Sequence, residues 1–222
     1  MAALLAEAPS VVEVLPHDGN IKQITKHMKS KKNFIVVIAV IAIIGIWATN
    51  AYNSMVSEQE QVTKSLANVQ SAYQRRADLI PNLVEVVKGY ASHEKETLEG
   101  VVAARSKATQ MTVDVSNMTP DKLKEFQKAQ GELSAALGRL IAIQENYPDL
   151  KANENFRDLQ VQLEGTENRI NEARNTFNGD VQQYNTMIRK FPKNILAGLF
   201  GFNTMNKFEA EAGAEKAPQI KF

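Results

Sequence analysis

"VTKSLANVQSAYQRRADLIPNLVEVV", residues 62–87, decides the fold. Its apolar residues fall at steps of four and three: Val62, Leu66, Val69, Tyr73, then Ile80, Leu83 and Val87. With about 3.6 residues per helical turn, that spacing keeps them on one side, so the segment is a helix facing a core. The seam position between Tyr73 and Ile80 is Arg76. An unpaired buried charge is prohibitively costly, so Arg76 needs a carboxylate partner. Pro81 lacks an amide hydrogen, which frees the carbonyl of Ala77 and predicts a kink or restart there. Arg75 and Asp78 lie opposite the stripe at a spacing that allows them to pair.

Upstream stands "NFIVVIAVIAIIGIWATNAY", residues 33–52, with an unbroken apolar core from Phe34 to Ala48. With its flanks it is just long enough to cross a hydrocarbon layer of roughly 30 Å. Trp47 and Tyr52 suit an interfacial belt at its far end. Lys22, Lys26, Lys29, Lys31 and Lys32 crowd the near side, whereas the first basic residue beyond is Lys64. The positive-inside rule then puts the N-terminus in the cytoplasm and the rest outside it. A cleaved signal peptide is the competing reading, but residues 1–32 make a long leader.

Downstream, Lys88-Gly89 reads as a helix end and Ser92 as the next cap, with a second helix to about Met111. Thr119 caps a third helix with Pro120 at its first position. Leu123, Phe126, Leu133, Leu137 and Leu140 share its inner face with Gln130, while Gly131 and Gly138 would allow a close helix approach. Asn153 caps the last helix, whose stripe runs from Phe156 to Ile188. The first and last helices have about equal lengths, roughly 55 Å at 1.5 Å per residue. The expected fold is all-α: one transmembrane helix, then an antiparallel up-and-down bundle of four helices whose first and last are long. That topology returns the chain toward the membrane after Lys190. It also matches Arg76 with Thr166, which makes Glu164 and Glu167 the carboxylates of a structural ion pair with Arg76. A register-fixing pair beside a bend is preferred here to a ligand site.

"NVQSAYQRRADLIPNLVEVVKGYASHEKETLEGVVAAR" (68–105), "YPDLKANENFRDLQVQLEGTENRINEAR" (147–174) and "YNTMIRKFPKNILAGLFGF" (184–202) resemble the LemA family of bacterial membrane-anchored proteins. The resemblance spans about residues 34–208. It implies an N-terminal membrane helix followed by an antiparallel helical bundle, and no catalytic residues.

Several chemistries find no residues. The chain has no cysteine, so disulfides, thiolate metal sites and cysteine nucleophiles are excluded. A bundle di-iron site wants paired Glu-x-x-His motifs, but the only bundle histidine is His93 and position 90 is Tyr. No phosphate loop, nucleophile elbow or metalloprotease motif occurs. No catalytic, metal or cofactor site is therefore assigned. A net charge of +1 gives no bulk reason for nucleic-acid binding.

Two surfaces remain. Asn168, Asn171, Asn175, Asn178, Gln182 and Asn185 recur at helical spacing outside the apolar stripe. They form either a solvated face or a hydrogen-bonded seam with a partner or a second copy. "FPKNILAGLFGF" (191–202) either closes the bundle core or lies in the membrane interface through Leu196, Leu199, Phe200 and Phe202. The ending "APQIKF", alternating Ile220 and Phe222 around Lys221, is the sort of peptide that an edge strand or groove can capture.

The chain is thus expected to comprise a flexible, lysine-ended arm (1–32), a transmembrane helix (33–52), the bundle (53–190), an apolar amphipathic segment (191–208) and a flexible tail (209–222). The expected role is a non-enzymatic scaffold or adaptor in the cytoplasmic membrane, with membrane lipid, a membrane or envelope protein and a second copy of itself as the candidate partners. The alternative is a ligand-sensing bundle that signals through the membrane helix.

Overall fold

The computed structural model describes residues 18–115 and 118–209, with side chains from Lys32 onward. Residues 1–17, the side chains of Lys22, Lys26, Lys29 and Lys31, and the tail 210–222 with its "APQIKF" ending lie outside the described residues. Among the described residues the chain is helical, without strands. Its helices are α1 (Asp18–Tyr90), α2 (Lys95–Gln110), α3 (Pro120–Ala142), α4 (Pro148–Ala152), α5 (Glu154–Arg189) and α6 (Lys193–Phe200). A 3₁₀ turn, Ile143–Asn146, separates α3 from α4.

These six helices replace the expected four. The additional α4 arises inside "ENYPDLKAN", where Pro148 occupies a first helical position and Asn153 ends the turn. The additional α6 arises in the Phe-rich segment after Pro192. The caps of α3 and α5 are where the sequence puts them. Lys122 N donates to Thr119 Oγ1 (3.3 Å) and Phe156 N to Asn153 Oδ1 (2.9 Å). The start of α2 differs from expectation, because Glu94 rather than Ser92 stands at its N-terminal boundary. Ala91 is fully buried, and Glu94 N bonds back to its carbonyl. That turn consumes Ser92 and His93 before the helix can begin.

The chain divides into two compact units between Asn50 and Ala51. In the first, helix α1 begins at Asp18, ahead of the apolar stretch. The large apolar side chains from Phe34 to Ile46 are all exposed. By length and composition this is the one helix among the described residues able to cross a membrane.

In the second unit, the C-terminal part of α1 and α5 run in opposite directions. Side-chain hydrogen bonds mark the register: Ser54 with Met187, Glu58 with Gln183, Gln61 with Asp180, Arg76 with Glu167, and Tyr90 with Asn153. The helix does not restart at Pro81, since α1 continues through it. The carbonyl of Ala77 that Pro81 leaves unpaired accepts a hydrogen bond from Arg105 Nε at 2.8 Å.

Apolar side chains fill two clusters. One gathers Met55, Val62, Leu66, Val69 and Tyr73 with Phe126, Phe177, Val181 and Tyr184. The other gathers Ile80, Leu83 and Val87 with Leu133, Leu140, Leu150 and Phe156. Arg76 falls between them along α1.

Candidate functional site

Arg76 is 1% exposed, the largest fully buried side chain of the described protein. Its Nη1 donates to Glu167 Oε1 and Ser134 Oγ, both at 2.7 Å. Its Nη2 donates to Gln130 Oε1 (2.6 Å) and the Gln130 carbonyl (3.3 Å). Gln130 Nε2 in turn donates to the carbonyl of Ala108 at 3.2 Å. One guanidinium thus ties α1, α3 and α5 together directly, and α2 through Gln130. The guanidinium also lies over the Tyr73 ring, 5.2 Å from its centroid. Nε has no hydrogen-bond partner among the described residues.

Of the two carboxylates expected at Arg76, Glu167 is there and Glu164 is not. Glu164 lies a turn earlier in α5, exposed, and accepts from Gln160 at 3.5 Å. Asp78 likewise accepts from Gln74 at 2.7 Å rather than pairing with Arg75. The roles of Gln130 and Ser134 were not read from the sequence, although Gln130 stands on the inner face of α3, where a polar side chain must find a partner.

Helix α6 presents two faces. Ala197 is buried, and Leu196 and Phe202 pack partly buried against the first cluster. The interface set of Leu196, Leu199, Phe200 and Phe202 is therefore split, because two members serve the core. Phe191, Ile195 and Leu199, four residues apart, point outward at 80%, 62% and 74% exposure, with Phe200 beside them at 53%. Four-residue spacing puts Ile195 and Leu199 on one side of α6, and Phe191 stands just ahead of that helix. The Tyr52 ring meets Phe200 and Phe202 edge-on, with centroids 5.0 and 5.6 Å apart. Lys193 Nζ reaches Ser54 Oγ at 3.3 Å. Gly201, at φ 77°, ends α6 in the left-handed conformation that glycine adopts without steric cost, and Phe202 N closes the turn on the Ala197 carbonyl.

After Gly201 the chain runs without helix along α5, and the asparagine face receives it. Asn185 and Asn178 each bind one backbone unit twice, donating to the carbonyl and accepting from the amide of Met205 and Phe208 respectively. Gln182 accepts from Lys207 Nζ at 3.0 Å. Of the two readings of this face, a solvated surface or a seam with another chain, neither describes these three positions, which hold the protein's own C-terminal strap, while Asn168, Asn171 and Asn175 are exposed. Phe202, Met205 and Phe208 turn inward at every third residue, a spacing present in the sequence.

Between α3 and α5 a groove of 660 Å³ begins at Phe208 and Glu209 and continues past Asn171 to Gly138, Ile141 and Leu163. The close helix approach expected at Gly131 and Gly138 is not made; a methyl group at either would meet nothing within 4 Å. Their faces line open groove instead.

Known proteins align with most of this architecture. The chain is 26% identical to magnetosome protein MamQ 2 of Paramagnetospirillum magneticum over 200 residues, covering 82% of this chain and 74% of that protein. It is 26% identical to magnetosome protein MamQ of Magnetospirillum gryphiswaldense over 208 residues, covering 84% and 76%. It is 24% identical to protein LemA of Metamycoplasma hominis over 182 residues, covering 81% and 80%. The model of the LemA family matches residues 65–222, a span that takes in the Arg76 cluster, α1 from Ser65, all of α5, α6 and the strap. The chain belongs to the LemA family.

Proposed function

We propose that this protein is a non-enzymatic, membrane-anchored scaffold of the bacterial envelope. In this reading residues 33–52 cross the cytoplasmic membrane once, with the N-terminus in the cytoplasm. The longer helices of the second unit form an antiparallel up-and-down bundle outside it, offered to an envelope protein. The observation that carries the reading is the outward apolar face of α6, Ile195 and Leu199, with exposed Phe191 just ahead of the helix, on a helix joined to Tyr52 through Phe200. Tyr52 closes the apolar segment in sequence, so lipid is the nearest medium for an uncovered apolar face on that helix. Burying a large apolar side chain contributes roughly 1.5–3 kcal/mol, so three together make a firm local attachment. The lysine asymmetry about the apolar segment supports the orientation, and the polar centre at Arg76 supports a structural rather than chemical interior.

The test has two arms in intact cells. A membrane-impermeant maleimide should label Gly89→Cys from outside the cytoplasmic membrane, and a photo-crosslinking residue at Ile195 should give lipid adducts. Labelling of Gly89→Cys only after lysis overturns the orientation. Crosslinks at Ile195 to protein alone overturn the lipid contact.

A further inference from the structure

We propose that the groove between α3 and α5 is a docking site for this chain's own C-terminal segment, residues 210–215, with Asn171 as the third clamp of the asparagine ladder. The first two clamps set a rule. Asn185 holds Met205 and Asn178 holds Phe208, each through a paired amide contact to the backbone. Seven residues of helix rise about 10.5 Å, and three residues of extended chain cover about 9–10 Å. The two repeats match, so the strap can meet an identical side chain at each step. The next step pairs Asn171 with residue 211. Asn171 is exposed on the same line of α5 and has no hydrogen-bond partner among the described residues.

Four further observations select this occupant. The groove continues the strap's established seat, since Phe208 and Glu209 line its near end. Gln127 Nε2 and Arg174 Nη2 both donate to the Glu209 carbonyl, which aims the chain between α3 and α5. Charge matches at the near end, where Glu209 and Glu211 approach a stretch lined by Lys124, Lys128 and Arg174, while Glu164 and Glu167 line the groove farther on. Between its glutamates the segment 209–215, "EAEAGAE", holds only alanine and glycine, which suit a floor opened by Gly131 and Gly138.

The register places residue 214 level with Gly138. Gln127 lies level with Arg174 through Glu209, and Ser134 with Glu167 through Arg76, so Gly138 follows one turn on. The natural chain has no cysteine, so engineered pairs report cleanly. In the full-length protein in detergent, Gly138→Cys with Ala214→Cys should close an intramolecular disulfide, which requires Cα atoms within about 7 Å. Gly138→Cys with Ala210→Cys should not close. Adding Asn171→Leu should abolish the first disulfide, whereas Asn175→Leu should preserve it. Equal closure at 210 and 214, or closure indifferent to Asn171→Leu, overturns the clamp. No closure at all, or a disulfide between two chains, overturns the docking of a chain on itself.

Discussion

Arg105 donates its Nε hydrogen to the carbonyl of Ala77, the group that Pro81 leaves without an amide four residues on. The proline therefore costs α1 a hydrogen bond without breaking it, and α2 supplies the replacement. Arg105→Ala leaves that carbonyl unsatisfied and should lower stability by about 1–3 kcal/mol in thermal unfolding. In a Pro81→Ala background the helix regains its own donor, so Arg105→Ala should cost much less. Equal losses in both backgrounds would show that the bond contributes nothing specific.

Arg76→Ala should destabilise the second unit by on the order of 3 kcal/mol, because Glu167, Ser134 and Gln130 lose their common partner. Arg76→Met combined with Glu167→Gln should be much milder, since no charge is then stranded. Glu167 is 41% exposed, so solvent screens its side of the pair and the direct coupling is smaller than the total loss. A double-mutant cycle should still give more than about 0.5 kcal/mol for Arg76 with Glu167 and less for Arg76 with Glu164.

Two tyrosines titrate above the ordinary range. Tyr147 does so first because its hydroxyl bonds to Glu94, then through burial and the Glu94 charge; Tyr184 does so through burial. A raised folded value means the neutral phenol is favoured by the fold. The associated stability is complete below the unfolded tyrosine value and is lost as pH rises through the folded one. Near-ultraviolet titration of Glu94→Gln should move the Tyr147 component down toward the ordinary value. An unmoved component would remove Glu94 as its cause.

Much of this architecture was legible because apolar spacing and caps are local signals. The stripes of α1, α3 and α5, the caps at Thr119 and Asn153, and the need for a carboxylate at Arg76 follow from residues near in sequence. What escaped depends on distant partners. Nothing local assigns Arg105 to Ala77 or Ser134 to Arg76. The asparagine face was visible as a periodic oddity, but its occupant lies 20 to 30 residues away along an unhelical strap. The Phe-rich segment divides between core and surface because α6 is short and amphipathic, so composition alone could not sort Leu196 from Leu199.

The outward face of α6 is proposed to meet lipid. The most direct measurement is liposome flotation of a chain beginning at Ala51, which lacks the apolar helix but keeps both apolar clusters. It should float with the lipid. Ile195→Ser with Leu199→Ser should abolish flotation and leave the melting temperature unchanged, since both side chains are exposed. A chain that stays in the aqueous fraction, or a serine pair that lowers the melting temperature while flotation persists, would contradict the account.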